Sequence, residues 1–421
     1  MSQEQTTTTT AKRARTGSRL ADFPFQLSVR PVELGLGLLE ISHAEGATAP
    51  TVPMRFVFAL DVSGSMHGPR IANLRAGMRA MLQLLRVHVP DAEVAILTFN
   101  DEVHEVFGPG PVDDDGVWAQ IEGHLKAGGC TDMARALNAA LDWEAPAGAA
   151  TTLLLLTDGE DHTLARGLQY QARHPLAERL AKASGVSMHM VGICAEADAV
   201  LLNSLAELGR GTFVCIRDAD IQGLMGSLLG LVLEQLPHTA RVFVGERLVR
   251  SVFLRVGAPT RVPFTLAPDE TAQLAVRMEL MALGEPRVEH TVRLEAPCLV
   301  ALDWEVRLAH AREWIGEASA VVARALATDD LDEASAAIDA VLERVRRLRQ
   351  EDAPAAFNDL IASLETQRAD ITAAANDHAQ MRELSARSAS HASTVRNSGR
   401  SLGVDGESAT QASMRSQSMA Y

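Results

Sequence analysis

Asp61, Ser63 and Ser65 fall at alternate positions of the run Leu60-Asp61-Val62-Ser63-Gly64-Ser65, directly after the apolar stretch 56–60 and ahead of a helical stretch that opens at Pro69. From one tight loop, a carboxylate and two hydroxyls can all turn inward. Such an all-oxygen set suits Mg²⁺ or Mn²⁺ in near-octahedral geometry and excludes a thiolate-type metal site. Two more segments carry donors of the same kind: Gly128-Gly129-Cys130-Thr131-Asp132 ahead of a helical stretch, and Leu156-Thr157-Asp158-Gly159 after an apolar run. Their glycines permit close backbone approach.

The elements that must position these residues are legible in the hydrophobic pattern. From Met54 to about Leu236, short and almost wholly apolar runs alternate with helical stretches: FVFAL (56–60), VAILTF (94–99), LLLLT (153–157), MHMVGI (188–193) and FVCI (213–216). Runs of this kind are buried on both faces, so they predict a doubly wound, mostly parallel sheet with helices on both sides. In such sheets the carboxyl ends of the strands form the ligand crevice. The three oxygen-bearing segments should therefore meet at one edge.

Asp61-x-Ser63-x-Ser65, the Thr131 that follows a glycine-containing loop, and Thr157-Asp158-Gly159 at a strand end together resemble the metal-ion-dependent adhesion site of von Willebrand factor A domains. The resemblance implies that Ser63, Ser65 and Thr131 bind a divalent ion directly, while Asp61 and Asp158 hold it largely through water. It implies Mg²⁺ as the ion, or Mn²⁺ or Ca²⁺, with one position open for an Asp or Glu carboxylate of a protein partner. The chain is thus expected to be a metal-dependent protein–protein interaction module and no enzyme. Strands ahead of this domain, a β-sandwich after it and a helical tail around Ala327–Ala334 are similar to the inter-alpha-trypsin-inhibitor-like and RING-linked intracellular proteins of the superfamily. This chain has no Cys/His-rich RING segment.

Two other readings compete. Mg²⁺ beside Asp61, Asp158, Asp132 and Glu160 could polarise a phosphoryl oxygen, with His67 or His162 as base, giving a metal-assisted phosphate hydrolase. The sequence contains no GxxxxGK[ST] or HExxH motif to support it. Alternatively, the protein is a structural or assembly component whose ion only stiffens loops.

Around the candidate metal domain the pattern changes. Phe25, Leu27 and Val29, then Leu34, Leu36 and Leu38, alternate as half-buried strands do, and Ala272, Leu274, Val276, Met278 and Leu280 do the same later. The early strands have no sheet of their own, so they are expected to join the later one, with the metal domain inserted into an antiparallel β-sandwich. From Leu308 to Ile371 the period is helical and fits three helices, the second capped by Asp329 or Asp330 and the third by Asp352 with Pro354. The expected organisation is a disordered tail (1–22), sandwich strands (23–53), the metal domain (54–236), the sandwich (237–306), a helical segment (307–380) and a second disordered tail (381–421). The tails are assigned on Thr6–Thr10 and on the Ser/Ala/Arg/Gly composition near the C-terminus.

A net charge of −15 argues against nucleic acid as a partner of the folded body. No run is long and apolar enough to span a membrane, and the first residues lack the apolar core of a signal peptide, so an intracellular, cytoplasmic location is expected. Lys12, Arg13 and Arg15 form either a nuclear address or merely a charged tail. Cys130, Cys194, Cys215 and Cys298 show no metal or redox spacing and are expected to be buried free thiols.

Overall fold

In the computed structural model the apolar runs are strands, and helices cover both of their faces. The structure describes residues 10–12, 25–33, 35–43, 53–112, 114–143, 149–158, 161, 175–182, 185–193, 197–215, 221–255, 259–265, 273–282, 288–295, 304–348, 354–374 and 377–398. The chain divides into two units. One comprises Met1–Thr51, Glu234–Trp314 and Arg344–Ile361; the other comprises Val52–Leu233, Ile315–Glu343 and Ala362–Tyr421.

The first unit opens with β1 (Thr10–Lys12), β2 (Phe25–Glu33) and β3 (Leu36–His43). The second follows with β4 (Met54–Asp61), α1 (Pro69–His88), β5 (Glu93–Phe99), β6 (Val103–Pro111), α2 (Asp114–Ile121), α3 (Met133–Asp142), β7 (Ala150–Thr157), α4 (Pro175–Lys182), β8 (Val186–Gly192), α5 (Ala199–Leu208), β9 (Arg210–Cys215) and α6 (Ile221–Glu234). The sheet order is β6-β5-β4-β7-β8-β9. All its pairings are parallel except that of β5 with β6. After β4 the chain builds outward on one side through β5 and β6, then returns to the other side of β4 with β7. This reversal makes the carboxyl end of β4 the topological switch point, the place where open α/β sheets bind ligands. Asp61 is its last residue.

The two faces of β4 feed separate cores. Phe56, Phe58 and Leu60 pack with Leu74, Met78 and Leu85 of α1 and with Met225 and Leu228 of α6. Val57 and Ala59 pack with Met133 and Leu137 of α3, Leu176 and Leu180 of α4, and Leu202 and Leu205 of α5. Full burial of a side chain such as Phe58 contributes roughly 1.5–3 kcal/mol. The sheet is therefore held by its interior and not by the loops at its edge.

In the first unit, β10 (Gln235–Val244), β11 (Arg247–Arg255), β12 (Thr260–Thr265), β13 (Gln273–Ala282) and β14 (Val288–Glu295) are antiparallel. The early strands pair with the late ones, with Leu39 opposite Val262 of β12 and opposite Val29 of β2. The α/β domain is thus an insertion. The antiparallel strands form two sheets, β12-β3-β2 and β1-β14-β13-β10-β11, and the early strands β2 and β3 share theirs with β12 alone. Thr10–Lys12, assigned to a disordered tail from composition, forms the short edge strand β1 against Thr291–Glu289. A threonine run is polar, but its β-branched residues also favour strands.

The helical segment consists of α7 (Trp304–Ala327), α8 (Leu331–Leu348), α9 (Ala355–Ala373) and a fourth helix, α10 (His378–Ser398). Asp330, not Asp329, caps α8, accepting from Glu333 N at 2.9 Å; Asp352 lies outside the described residues. The fourth helix corrects the expectation of disorder for residues 381–398; residues 399–421 lie outside the described residues. Met381, Leu384, Ala386, Ala389 and Ala392 are buried. Ser393 Oγ accepts from Phe213 N at 2.7 Å, and Ser390 Oγ from Cys215 N at 3.4 Å. Small residues that look like low complexity let the helix approach closely, and its hydroxyls satisfy backbone groups on the edge strand β9. Among the described residues no helix is long and apolar enough to cross a membrane.

Candidate metal centre

At the end of β4 the Asp61 carboxylate is fully buried and held at both oxygens. Oδ1 accepts from Ser63 N at 2.7 Å, which closes the loop into a tight turn, and Oδ2 accepts from the Thr157 hydroxyl at the end of β7. A 3-10 turn, Gly64–Met66, follows, with Met66 buried in the α1-side core as its anchor. Gly68 at φ +77° then redirects the chain into α1, whose first residue is Pro69.

The turn brings the two hydroxyls together. Ser63 Oγ and Ser65 Oγ are 3.1 Å apart, and Ser65 Oγ donates to Asp158 Oδ1 at 2.8 Å. A hydroxyl whose proton is committed to a carboxylate still has lone pairs to offer a cation. Asp158 is itself buried, and its Oδ2 accepts from Arg70 Nη1 at 2.7 Å.

Thr131 lies on a third loop, which is stitched to the first by backbone hydrogen bonds. Gly64 N donates to Gly129 O at 3.0 Å, and Gly128 N to Val62 O at 2.8 Å. The same loop is tied to the end of β5: Asn100 Nδ2 donates to Gly128 O at 2.8 Å, Asp132 N to Asn100 O at 2.9 Å, and Cys130 N to Asp101 Oδ1 at 3.1 Å. Gly129 has φ +81°, and a Cβ there would stand 2.1 Å from Asp101 Oδ1, so only glycine fits. Asp132 and Asp161 are engaged as caps of α3, accepting from Arg135 N at 2.9 Å and Met133 N at 2.8 Å.

Burial pushes the Asp61 carboxyl up to about 6, and the Asp158 charge adds to the effect; hydrogen bonds from Thr157 and Ser63 oppose it. Two buried carboxylates and two adjacent hydroxyls form a site of negative potential built from oxygen alone. Among the described residues no group of three or more His, Cys, Asp or Glu side chains is placed to hold a metal. Any ion here would rely on hydroxyls as well as carboxylates. These donors fit a hard divalent cation of the Mg²⁺ type and offer nothing to a soft one.

Four of the five candidate ligands, Asp61, Ser63, Ser65 and Asp158, thus form one chain of contacts, and Thr131 reaches the same edge on its stitched loop. Among the described residues no hydrogen bond links the Thr131 hydroxyl to the other four. Arg70, Asn100 and Asp101 are site residues that spacing alone did not single out, and Thr157 stood in the Thr-Asp-Gly motif without a role of its own. Asn100-Asp101 follows the run VAILTF directly and could have been found by asking what sits at every strand's carboxyl end. Arg70 had a signal too, being a basic residue in a first helical turn where the helix dipole disfavours it. Cys130, expected to be buried, is exposed on the loop, whereas Cys215 is half-buried. His67 is exposed, and Gly159, Glu160, His162, Cys194 and Cys298 lie outside the described residues.

A family model described as von Willebrand factor type A domain matches residues 56–160. No curated protein matches the sequence. Among solved structures, the chain is similar to a von Willebrand factor type A protein from Catenulispora acidiphila, at 16% identity and a TM-score of 0.60 over 90% of this chain and 98% of that one. It is also similar to the ArnB paralog VWA2 from Sulfolobus acidocaldarius, at 15% identity and a TM-score of 0.53 over 88% of this chain and 99% of that one. Residues 56–160 thus match the von Willebrand factor type A family model, and the chain shares the mostly parallel α/β fold of these structures. Domains of this type commonly mediate protein–protein interactions.

Proposed function

We propose that the α/β domain is a non-enzymatic binding module that holds Mg²⁺ with Ser63, Ser65 and Thr131 directly and with Asp61 and Asp158 largely through water. When bound, the ion supplies an electrophilic position for an Asp or Glu carboxylate of a protein partner. The observation that carries this reading is the contact chain from Asp61 through Ser63 and Ser65 to Asp158 at the switch point of the sheet. Thr157 and the Ser63 backbone fix the Asp61 oxygens, and the Ser65 hydroxyl is oriented by Asp158 with its lone pairs left available. The loop carrying Thr131 is pinned by Asn100 and Gly64.

A hydrolytic reading would enlist Asp132, but that carboxylate caps α3, so no specific observation favours it. The test is calorimetric titration of Mg²⁺ into the full chain and into the Asp61→Ala and Thr131→Ala variants, followed by binding of Asp- or Glu-containing peptides in Mg²⁺ and in EDTA. Saturable binding that both variants lose, with peptide capture only in Mg²⁺, is the expected result. Undiminished Mg²⁺ binding by Asp61→Ala would overturn the assignment.

A further inference from the structure

The carboxylate of Asp158 is already answered by a positive charge that belongs to the chain. Arg70 Nη1 lies 2.7 Å from Asp158 Oδ2, while the Asp158 side chain is fully buried and that of Arg70 is one quarter exposed. The same nitrogen lies 3.4 Å from the Ser65 carbonyl oxygen, so the guanidinium reaches between the loop after β4 and the end of β7. Its place on the helix is electrostatically unfavourable. Arg70 is the second residue of α1, next to the positive end of the helix dipole, and the first turn of α1 holds no acidic residue to offset it. Local helix energetics gives no reason for an arginine here, whereas the Asp158 carboxylate does.

We infer that Arg70 is a tethered counter-cation of the metal site, which weakens binding of Mg²⁺ alone and strengthens binding of a carboxylate to the loaded site. The inference rests on the metal-site reading given under Proposed function. Arg70 opposes a divalent ion among these oxygens in two ways. It repels the ion directly, and it neutralises part of the Asp158 charge that would attract it. An incoming carboxylate reverses the balance, because both the ion and the guanidinium attract it. Metal and acidic partner then stabilise one another at the site, and by linkage each raises the affinity of the other by the same factor.

The experiment is a calorimetric Mg²⁺ titration of the full chain and of Arg70→Gln and Arg70→Lys, each followed by a titration of acetate as the carboxylate probe, and with melting curves to verify folding. Arg70→Gln is expected to bind Mg²⁺ about tenfold more tightly than wild type without acetate. Acetate titrated into the Mg²⁺-loaded proteins is expected to bind wild type more tightly than Arg70→Gln, while Arg70→Lys, which keeps the charge, stays near wild type in both titrations. If Arg70→Gln does not fold, Arg70→Met keeps the apolar stem and serves in the same comparison. Mg²⁺ affinity equal to or below that of wild type in the neutral variant would overturn the inference, leaving Arg70 as a prop for Asp158. If no protein in the set binds Mg²⁺, the metal-site reading itself fails, and the inference falls with it.

Discussion

Replacing Asp61 by asparagine should stabilise the metal-free protein while abolishing its response to Mg²⁺. The Asp61 carboxyl, fully buried, is pushed from 3.8 up to about 6, and each pKa unit corresponds to about 1.4 kcal/mol. Keeping this group ionised near neutral pH therefore costs the folded, metal-free chain about 3 kcal/mol. Because the folded value is the raised one, the stability contributed by the protonated acid is fully present below pH 3.8. It is lost as pH rises through about 6. Asparagine keeps an acceptor for Ser63 N, and the Thr157 hydroxyl can rotate to accept from the new amide. Denaturant unfolding in EDTA across pH 4 to 8 should show Asp61→Asn gaining about 2–3 kcal/mol over wild type at the alkaline end and little at the acid end. With Mg²⁺ at about a hundred times its dissociation constant, wild type should gain about 2.7 kcal/mol and the variant nothing. A metal-free Asp61→Asn protein less stable than wild type at pH 8 would refute the reasoning, since the buried charge would then not be the dominant cost.

The remaining predictions concern neighbouring parts of the same unit. Buried His189, lowered by desolvation from 6.5 to about 4, accepts from Thr212 N and stays neutral in the folded chain. It removes stability as pH falls from 6.5 to about 4, opposite in sign to Asp61, so His189→Asn should flatten the acid limb of the unfolding profile. Gly129→Ala, forced against Asp101 at a positive φ, should weaken Mg²⁺ binding at least as much as Thr131→Ala in calorimetry, because the whole loop must move. Ser393→Ala leaves Phe213 N buried without its acceptor and should cost about 1–3 kcal/mol in denaturant unfolding. A chain ending at residue 376 lacks α10, uncovers β9 and should self-associate in light scattering. If it stays monomeric with wild-type stability, α10 does not guard the edge.

How much of this was legible beforehand depended on whether the signal was a period or a partner. The central sheet was legible because double-sided burial writes continuous apolar runs, and each of FVFAL, VAILTF and LLLLT lies in a buried strand. The expected meeting of Asp61, Ser63, Ser65 and Asp158 followed from one topological rule about strand ends. Helix α10 was hidden because its buried face is built from Ala386, Ala389, Ala392 and serines, which carry little hydrophobic signal and depend on close approach. Which antiparallel strands share a sheet was hidden for a different reason. Alternation specifies which face of a strand is buried but not which strand lies beside it, and β12 carries no mark that sends it to β3.

Arg70, which spacing did not single out, and Thr157, which the Thr-Asp-Gly motif contained without a role, together explain why two carboxylates can share this edge at all. Asp61 is met by a neutral hydroxyl and a backbone amide, which stabilise its charge too weakly to offset burial, and its proton affinity rises. Asp158 is met by a guanidinium, so its charge is compensated within the fold. The site therefore holds one carboxylate with an internal counter-charge and one without, and a cation entering it gains most from Asp61. The strands behind the edge can carry that cost because Phe58, Leu60, Leu97 and Leu155 are completely buried. It follows that Asp61→Asn should lose Mg²⁺ binding while the metal-free fold gains stability, whereas Asp158→Asn should lose both binding and stability, because it also strands the Arg70 charge. Paired melting and Mg²⁺ titration of Asp61→Asn and Asp158→Asn test this asymmetry. A loss of stability in Asp61→Asn as large as that in Asp158→Asn would show that the carboxylates are not distinguished by their counter-charges.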